Sequence, residues 1–162
     1  MQPTIIFKRS VDGLSERRLE EFLLTVSSAI RLKGAVNVLV TDNREIRSLN
    51  ARFKGKDYAT DVLSFPAPGF ARGFAGDIVI SADVAARNAK SLGHSTADEI
   101  KVLALHGILH LAGYDHDRDR GQMAARERRL RSRLLLPGGL IERSRRSKEK
   151  ARARSHSRRL NT

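Results

Sequence analysis

Apolar positions recur along the chain with two different periods. Leu19, Phe22, Leu23, Val26 and Ile30 mark one face of a helix, predicted over Ser15–Lys33 and stopped at Gly34. Four short β-rich runs surround it in the pattern. They are Thr4–Lys8, Ala35–Thr41, Val62–Phe65 (closed by Pro66) and Asp77–Ser81. Asp42 or Asn43 can cap a helix running to about Phe53, and the polar stretch from there to Thr60 reads as a loop. Residues 66–76 hold two prolines and three glycines and read as a turn or loop. Ala82–Leu92 is predicted helical, ended by Gly93.

The next helix is of a different kind. Thr96 with Glu99 forms a capping box, and the helix is predicted from about Ala97 to Ala112. Ile100, Leu103, Ala104, Gly107, Ile108 and Leu111 share one face, and Val102, Leu105 and Leu109 add apolar groups elsewhere. A helix apolar nearly all round belongs at the centre of a fold. Met123, Leu130 and Leu134 mark a last helix ending before Pro137, and from Glu142 onward no apolar periodicity remains. The order predicts an α+β fold with a single small mixed β-sheet of about four strands and about five helices. Residues 1–140 form one domain, followed by a basic, disordered tail over 141–162.

The charge sharpens that division. Lys plus Arg number 31 against 18 Asp plus Glu, a net charge of +13. The last 22 residues hold nine of the basic and two of the acidic groups, leaving 22 against 16 in the body. Such a tail suits electrostatic contact with a polyanion and lacks the apolar residues of a membrane-surface helix. The absence of cysteine excludes a disulfide scaffold, a thiolate metal site and a cysteine nucleophile. The N-terminus lacks the apolar core of a signal peptide, and no window reaches the length of a membrane span. A soluble, cytoplasmic protein is expected. With no Trp, two Tyr and six Phe, an aromatic stacking platform for single-stranded nucleic acid is not expected.

Three of the five histidines fall within eleven residues, in His106-Gly-Ile-Leu-His110-Leu-Ala-Gly113-Tyr-Asp-His116. His106 and His110 are one helical turn apart and project from the same face. Two imidazoles on an apolar helix each need polar partners. Gly113 can take the left-handed conformation that ends a helix, letting His116 swing back toward the other two. Three neutral imidazoles converging with a fourth position open describe a catalytic zinc site, one Zn2+ per chain. The spacing equals that of the metzincin proteases, but their general-base Glu is Gly107 here, which disfavours peptide hydrolysis by that mechanism.

The run from His106 to His116 resembles the signature of the YbeY endoribonuclease family, the bacterial rRNA maturation factors. Thr60-Asp-Val-Leu-Ser-Phe-Pro66 is similar to the family's central loop-strand motif, and Gly76-Asp-Ile-Val-Ile-Ser81 to its next strand. The resemblance spans about residues 36–136. It implies a zinc-bound, single-strand-specific endoribonuclease acting on the 3′ end of small-subunit rRNA and in ribosome quality control. Zinc would sit on His106, His110 and His116, and rRNA, ribosomal particles and assembly proteins would be partners. Two positions depart from the pattern. Lys54 stands where the family usually has Arg, keeping the charge without the planar fork, and Ala59 replaces a frequent Pro.

Lys54 is therefore the candidate catalytic contact to the phosphate. Asp61 reads either as a partner for a ligand histidine or as a turn cap, and Asp77 as a turn residue. Asp115 reads as the cap of the last helix, or as a base. His94 and His156 read as ordinary surface residues. Besides the endoribonuclease, two functions fit the residues: a metalloprotease-like hydrolase, and a non-catalytic ribosome-assembly factor whose zinc is structural.

Overall fold

The computed structural model describes residues 2–138 and 148–154. Its elements are β1 (Ile5–Phe7), α1 (Glu16–Ala29), β2 (Ala35–Thr41), α2 (Asn43–Lys54), β3 (Val62–Pro66), β4 (Phe74–Ser81), α3 (Ala82–Leu92), α4 (Thr96–Leu111) and α5 (Gln122–Arg133). The four strands form one sheet in the order β1-β2-β4-β3. β1, β2 and β4 run parallel, and β3 pairs antiparallel along the far edge of β4. The expected α+β class with a small mixed sheet is what the chain adopts.

Alternation along the strands sorts the two faces of the sheet. Val36, Val38, Val40, Ile78 and Ile80 belong to the main core with α1, α3, α4 and α5. Leu63 and Val79 face the other way, where Ile46 of α2 covers them in a smaller cluster. α4 lies at the centre, as its composition requires. Ile100, Leu103, Leu105, Ile108 and Leu109 are each at most 1% exposed. Burying each contributes about 1.5–3 kcal/mol, so this helix is a rigid mount for whatever it carries.

Helix ends follow local chemistry, with some corrections. Ser15, Asp42 and Ser81 cap α1, α2 and α3 through their side-chain oxygens, and Gly55 and Gly93 end α2 and α3 in the left-handed region. α1 stops at Ala29 and not at Lys33. Arg31 takes φ +55°, and the Leu32 amide turns back to the Ser27 carbonyl, sending Leu32 onto the core. α4 is capped by Ser95, whose hydroxyl accepts from the Asp98 amide, and not by the Thr96–Glu99 box. Glu99 is instead fully buried and takes a 2.9 Å contact from His94 Nε2. His94 is thus no ordinary surface residue, its side chain being 12% exposed. Asp115 does not cap the last helix. Asp119 accepts from the Gly121 and Met123 amides at that position, while Asp115 closes its own turn by accepting from the Asp117 amide.

β4 begins at Phe74, three residues earlier than the pattern suggests, so Asp77 lies within a strand and accepts from Asn37 Nδ2. The extension depends on Gly76, at φ +149°, where a Cβ would meet the Phe65 carbonyl oxygen at 2.5 Å and Leu111 Cδ2 at 2.6 Å. Residues 148–154, part of the expected disordered tail, are helical and exposed. Lys, Glu, Ala and Arg are good helix formers, so the segment needs no apolar stripe. The rest of that tail, with His156, lies outside the described residues.

Candidate metal centre

α4 presents His106 and His110 one turn apart, and the chain reverses immediately after them. Gly113 adopts φ +96°, its amide returning to the His110 carbonyl at 3.0 Å and the Tyr114 amide to the Leu109 carbonyl at 3.1 Å. The following turn carries His116 back against the pair. Its ring centroid lies 5.5 Å from that of His106 and 5.4 Å from that of His110. One nitrogen from each ring falls within 4.8 Å of the others. The three histidines expected to converge do so.

The hydrogen bonds around the rings fix which nitrogens face inward. His106 Nδ1 meets Glu127 Oε2 at 3.0 Å, and His110 Nδ1 donates to the Tyr114 carbonyl at 3.0 Å. A carboxylate and a carbonyl only accept, so both Nδ1 atoms carry the proton in the neutral rings. The two Nε2 atoms are then lone-pair acceptors, and they face each other at 3.1 Å. Two bare acceptors at that distance repel unless a cation lies between them. Ligand nitrogens in a tetrahedral zinc site stand roughly 3.3–3.4 Å apart, given Zn–N bonds of about 2.0–2.1 Å. The donor set therefore fits a divalent ion that accepts imidazole, and His106, His110 and His116 could hold one.

Burial pushes the His110 imidazole below its usual pKa, reinforced by electrostatic repulsion from His106 beside it, with the Tyr114 carbonyl opposing. The sign follows from which state binds protons. Below about 6.5 the unfolded chain protonates His110 more readily than the folded one. The stability this group contributes is whole above that pH and is lost as pH falls toward the depressed folded value. Thermal midpoints of metal-free protein should therefore decline from pH 7 to pH 5, and the decline should shrink in His110→Ala.

His106 and His110 open onto a cleft of about 610 Å³, lined also by Asn50, Lys54, Lys56, Tyr58, Thr60, Asp61, Ser64 and Asp115. Lys54, the last residue of α2, is exposed at this cleft. Its Nζ lies 3.4 Å from the Ser64 carbonyl oxygen and 5.1 Å from the centre of the Phe65 ring. The structure thus brings Lys54 to the same cleft as the histidines. Asp61 acts as a turn cap, its Oδ1 accepting from the Val62 amide at 2.8 Å. Two residues not singled out in the sequence belong to the site. Lys56 adds a second positive charge to the cleft. Glu127, 2% exposed, reaches His106 from α5. The signal for Glu127 was present: Met123, Glu127 and Leu130 share one buried stripe, and a carboxylate on such a stripe requires a partner.

Gly107 gains a structural reason here. It marks the point where α4 crosses the sheet, and a Cβ would stand 2.9 Å from Ile78 Cδ1 and 3.0 Å from Ser64 Oγ. A side chain at the place of the metzincin base would force Ile78 and Ser64 to shift.

Fold and site together define an α+β protein with three histidines that could hold a metal ion, two on a central buried helix and the third on the turn that follows it. The sequence model of the family described as Endoribonuclease YbeY matches residues 6–135. A protein named Endoribonuclease YbeY from Koribacter versatilis is 51% identical over 150 residues, covering 93% of this chain and 97% of its own length. One of the same name from Solibacter usitatus is 43% identical, covering 86% and 93%. The solution structure of a Thermotoga maritima protein superposes with a TM-score of 0.58 at 29% identity, over 78% of this chain and 85% of that one. The chain belongs to the Endoribonuclease YbeY family. Among the described residues, no helix is long and apolar enough to cross a membrane.

Proposed function

We propose that this chain is a zinc-dependent, single-strand-specific endoribonuclease that matures rRNA, at the 3′ end of the small-subunit RNA, and serves ribosome quality control. The observation that carries the reading is the pair of bare Nε2 atoms facing each other at 3.1 Å beside a cleft lined by two lysines. His106, His110 and His116 would hold one Zn2+ per chain. Bound zinc would polarise a phosphodiester oxygen and activate water for attack on phosphorus. The cleft supplies the rest of the charge. Lys54 and Lys56 would draw the phosphate toward the histidines, and Lys54 would neutralise charge that grows on it during transfer. Ribosomal particles in the cytoplasm, with their proteins or assembly factors, are the proposed partners.

The body of 140 residues would form the catalytic domain, and the basic tail over 141–162 would add sequence-independent affinity for RNA. Truncation after Leu140 should leave the fold intact and reduce the salt slope of RNA binding by about 0.7 for each phosphate that the tail neutralises. An unchanged slope would remove the tail from the interface. Activity itself is tested on matched single-stranded and duplex rRNA fragments with mapped product ends. The proposal expects internal cleavage of the single strand only, and equal cleavage of both would refute the strand preference.

Lys54 can be tested separately. Lys54→Ala should lower turnover by on the order of 10² to 10³, the usual effect of losing a donor to transition-state charge, with zinc content and stability near wild type. Lys54→Arg restores a planar fork and should keep or raise activity. Rates for Lys54→Ala within twofold of wild type would remove it from the reaction and leave the metal site standing.

A further inference from the structure

We propose that Glu127 is the positioning residue of the metal site: from α5 it holds His106 in the one tautomer that can bind a cation. The inference rests on the reading of the three histidines as metal ligands. His106 Nδ1 points away from His110 and His116, toward α5, where Glu127 Oε2 meets it at 3.0 Å. Within α4 the neighbouring carbonyls are engaged in the helix, so an acceptor for this nitrogen has to come from another element. A carboxylate there leaves Nδ1 as the donor and Nε2 as a lone pair directed at the other ligands. The opposite tautomer would put a proton on Nε2 and block the site.

The surroundings make this carboxylate a fixed one. Its side chain is 2% exposed, beside a His106 side chain 7% exposed. Met123 and Leu130, at 0% and 2% exposure, flank it on the same face of α5. The packing of α5 against α4 therefore sets the orientation of a ligand that α5 does not itself contain. The carboxylate also brings negative charge one hydrogen bond from a set of three neutral ligands. His110 is held differently, by the main-chain carbonyl of Tyr114. Charge compensation from a buried acid thus enters through His106.

Zinc affinity, measured by chelator competition on the full chain, tests this directly. Glu127→Gln, close in size but uncharged, should bind zinc about 10 to 100 times more weakly than wild type, the usual penalty for losing the partner of a ligand histidine. Glu127→Asp, which keeps the charge but sits one methylene further back, should fall between the two. A residue that only supported the fold would not produce this order. A dissociation constant for Glu127→Gln within twofold of a tightly binding wild type would overturn the assignment and leave the metal site intact. Wild-type protein that fails to bind zinc would instead overturn the metal reading, and this inference with it. Imidazole nitrogen spectra of metal-free wild-type protein give an answer independent of any variant's folding. They should show His106 protonated on Nδ1, and protonation on Nε2 would contradict the proposal.

Discussion

His110→Ala protein is expected to lose the zinc proposed for the three histidines and to cleave RNA at least about 10³-fold more slowly than wild type. The proposed metal would supply several kcal/mol of transition-state stabilisation, and each 1.36 kcal/mol is a factor of ten in rate. His110 Nε2 is one of the two acceptors standing 3.1 Å apart, so alanine there removes one of the proposed ligands from the centre of the group. The fold should survive. His110 is only half-buried, and the change releases one hydrogen bond, to the Tyr114 carbonyl, worth about 1 kcal/mol. Metal content, cleavage rate and thermal midpoint measured on one preparation separate these effects. Full activity in zinc-free His110→Ala protein would remove the metal from the chemistry.

Gly107→Glu should be the most destabilising single change near the site, although it recreates the metzincin pattern on paper. Its Cβ would press on Ile78 and Ser64 where α4 meets the sheet. Overpacking of this kind costs about 1–3 kcal/mol, and a carboxylate driven into the same apolar surroundings adds a desolvation penalty. We expect a loss of several kcal/mol, read as a large drop in Tm, and no gain of peptidase activity. Gly107→Ala is the milder comparison. It places the same Cβ against the flexible end of Ile78 while gaining about 1 kcal/mol of helix propensity, so it should fold. A Gly107→Glu protein as stable as wild type, with cleavage of peptides, would restore the protease reading.

The parts of this protein that could be read from sequence are those in which one residue type repeats at a fixed spacing. α4 announced itself by being apolar on every side. The histidines at 106 and 110 fall one turn apart, and Gly113 sits where the chain has to reverse. Lys54 was legible only through resemblance, because a lysine at a helix end is common, and its place at the cleft depends on how α2 packs against β3. What stayed hidden were pairings between elements. Glu127 and Glu99 sit in charged, helical sequence, and their importance lies in the imidazoles of His106 and His94. Gly107 read as a missing base, and the fold shows it instead as the crossing point of helix and sheet. The start of β4 was masked because Gly73 and Gly76 look like turn residues, whereas Gly76 lets a strand pass beneath Leu111.

In the proposed function the three histidines hold a metal that cuts RNA. The most direct measurement is single-turnover cleavage of a single-stranded rRNA fragment by chelator-stripped protein, before and after adding one equivalent of zinc. Cleavage should be absent from the stripped protein and return in proportion to zinc up to one ion per chain. Stripped protein, verified free of zinc and other transition metals, that cut the fragment at the rate of untreated enzyme would contradict the account.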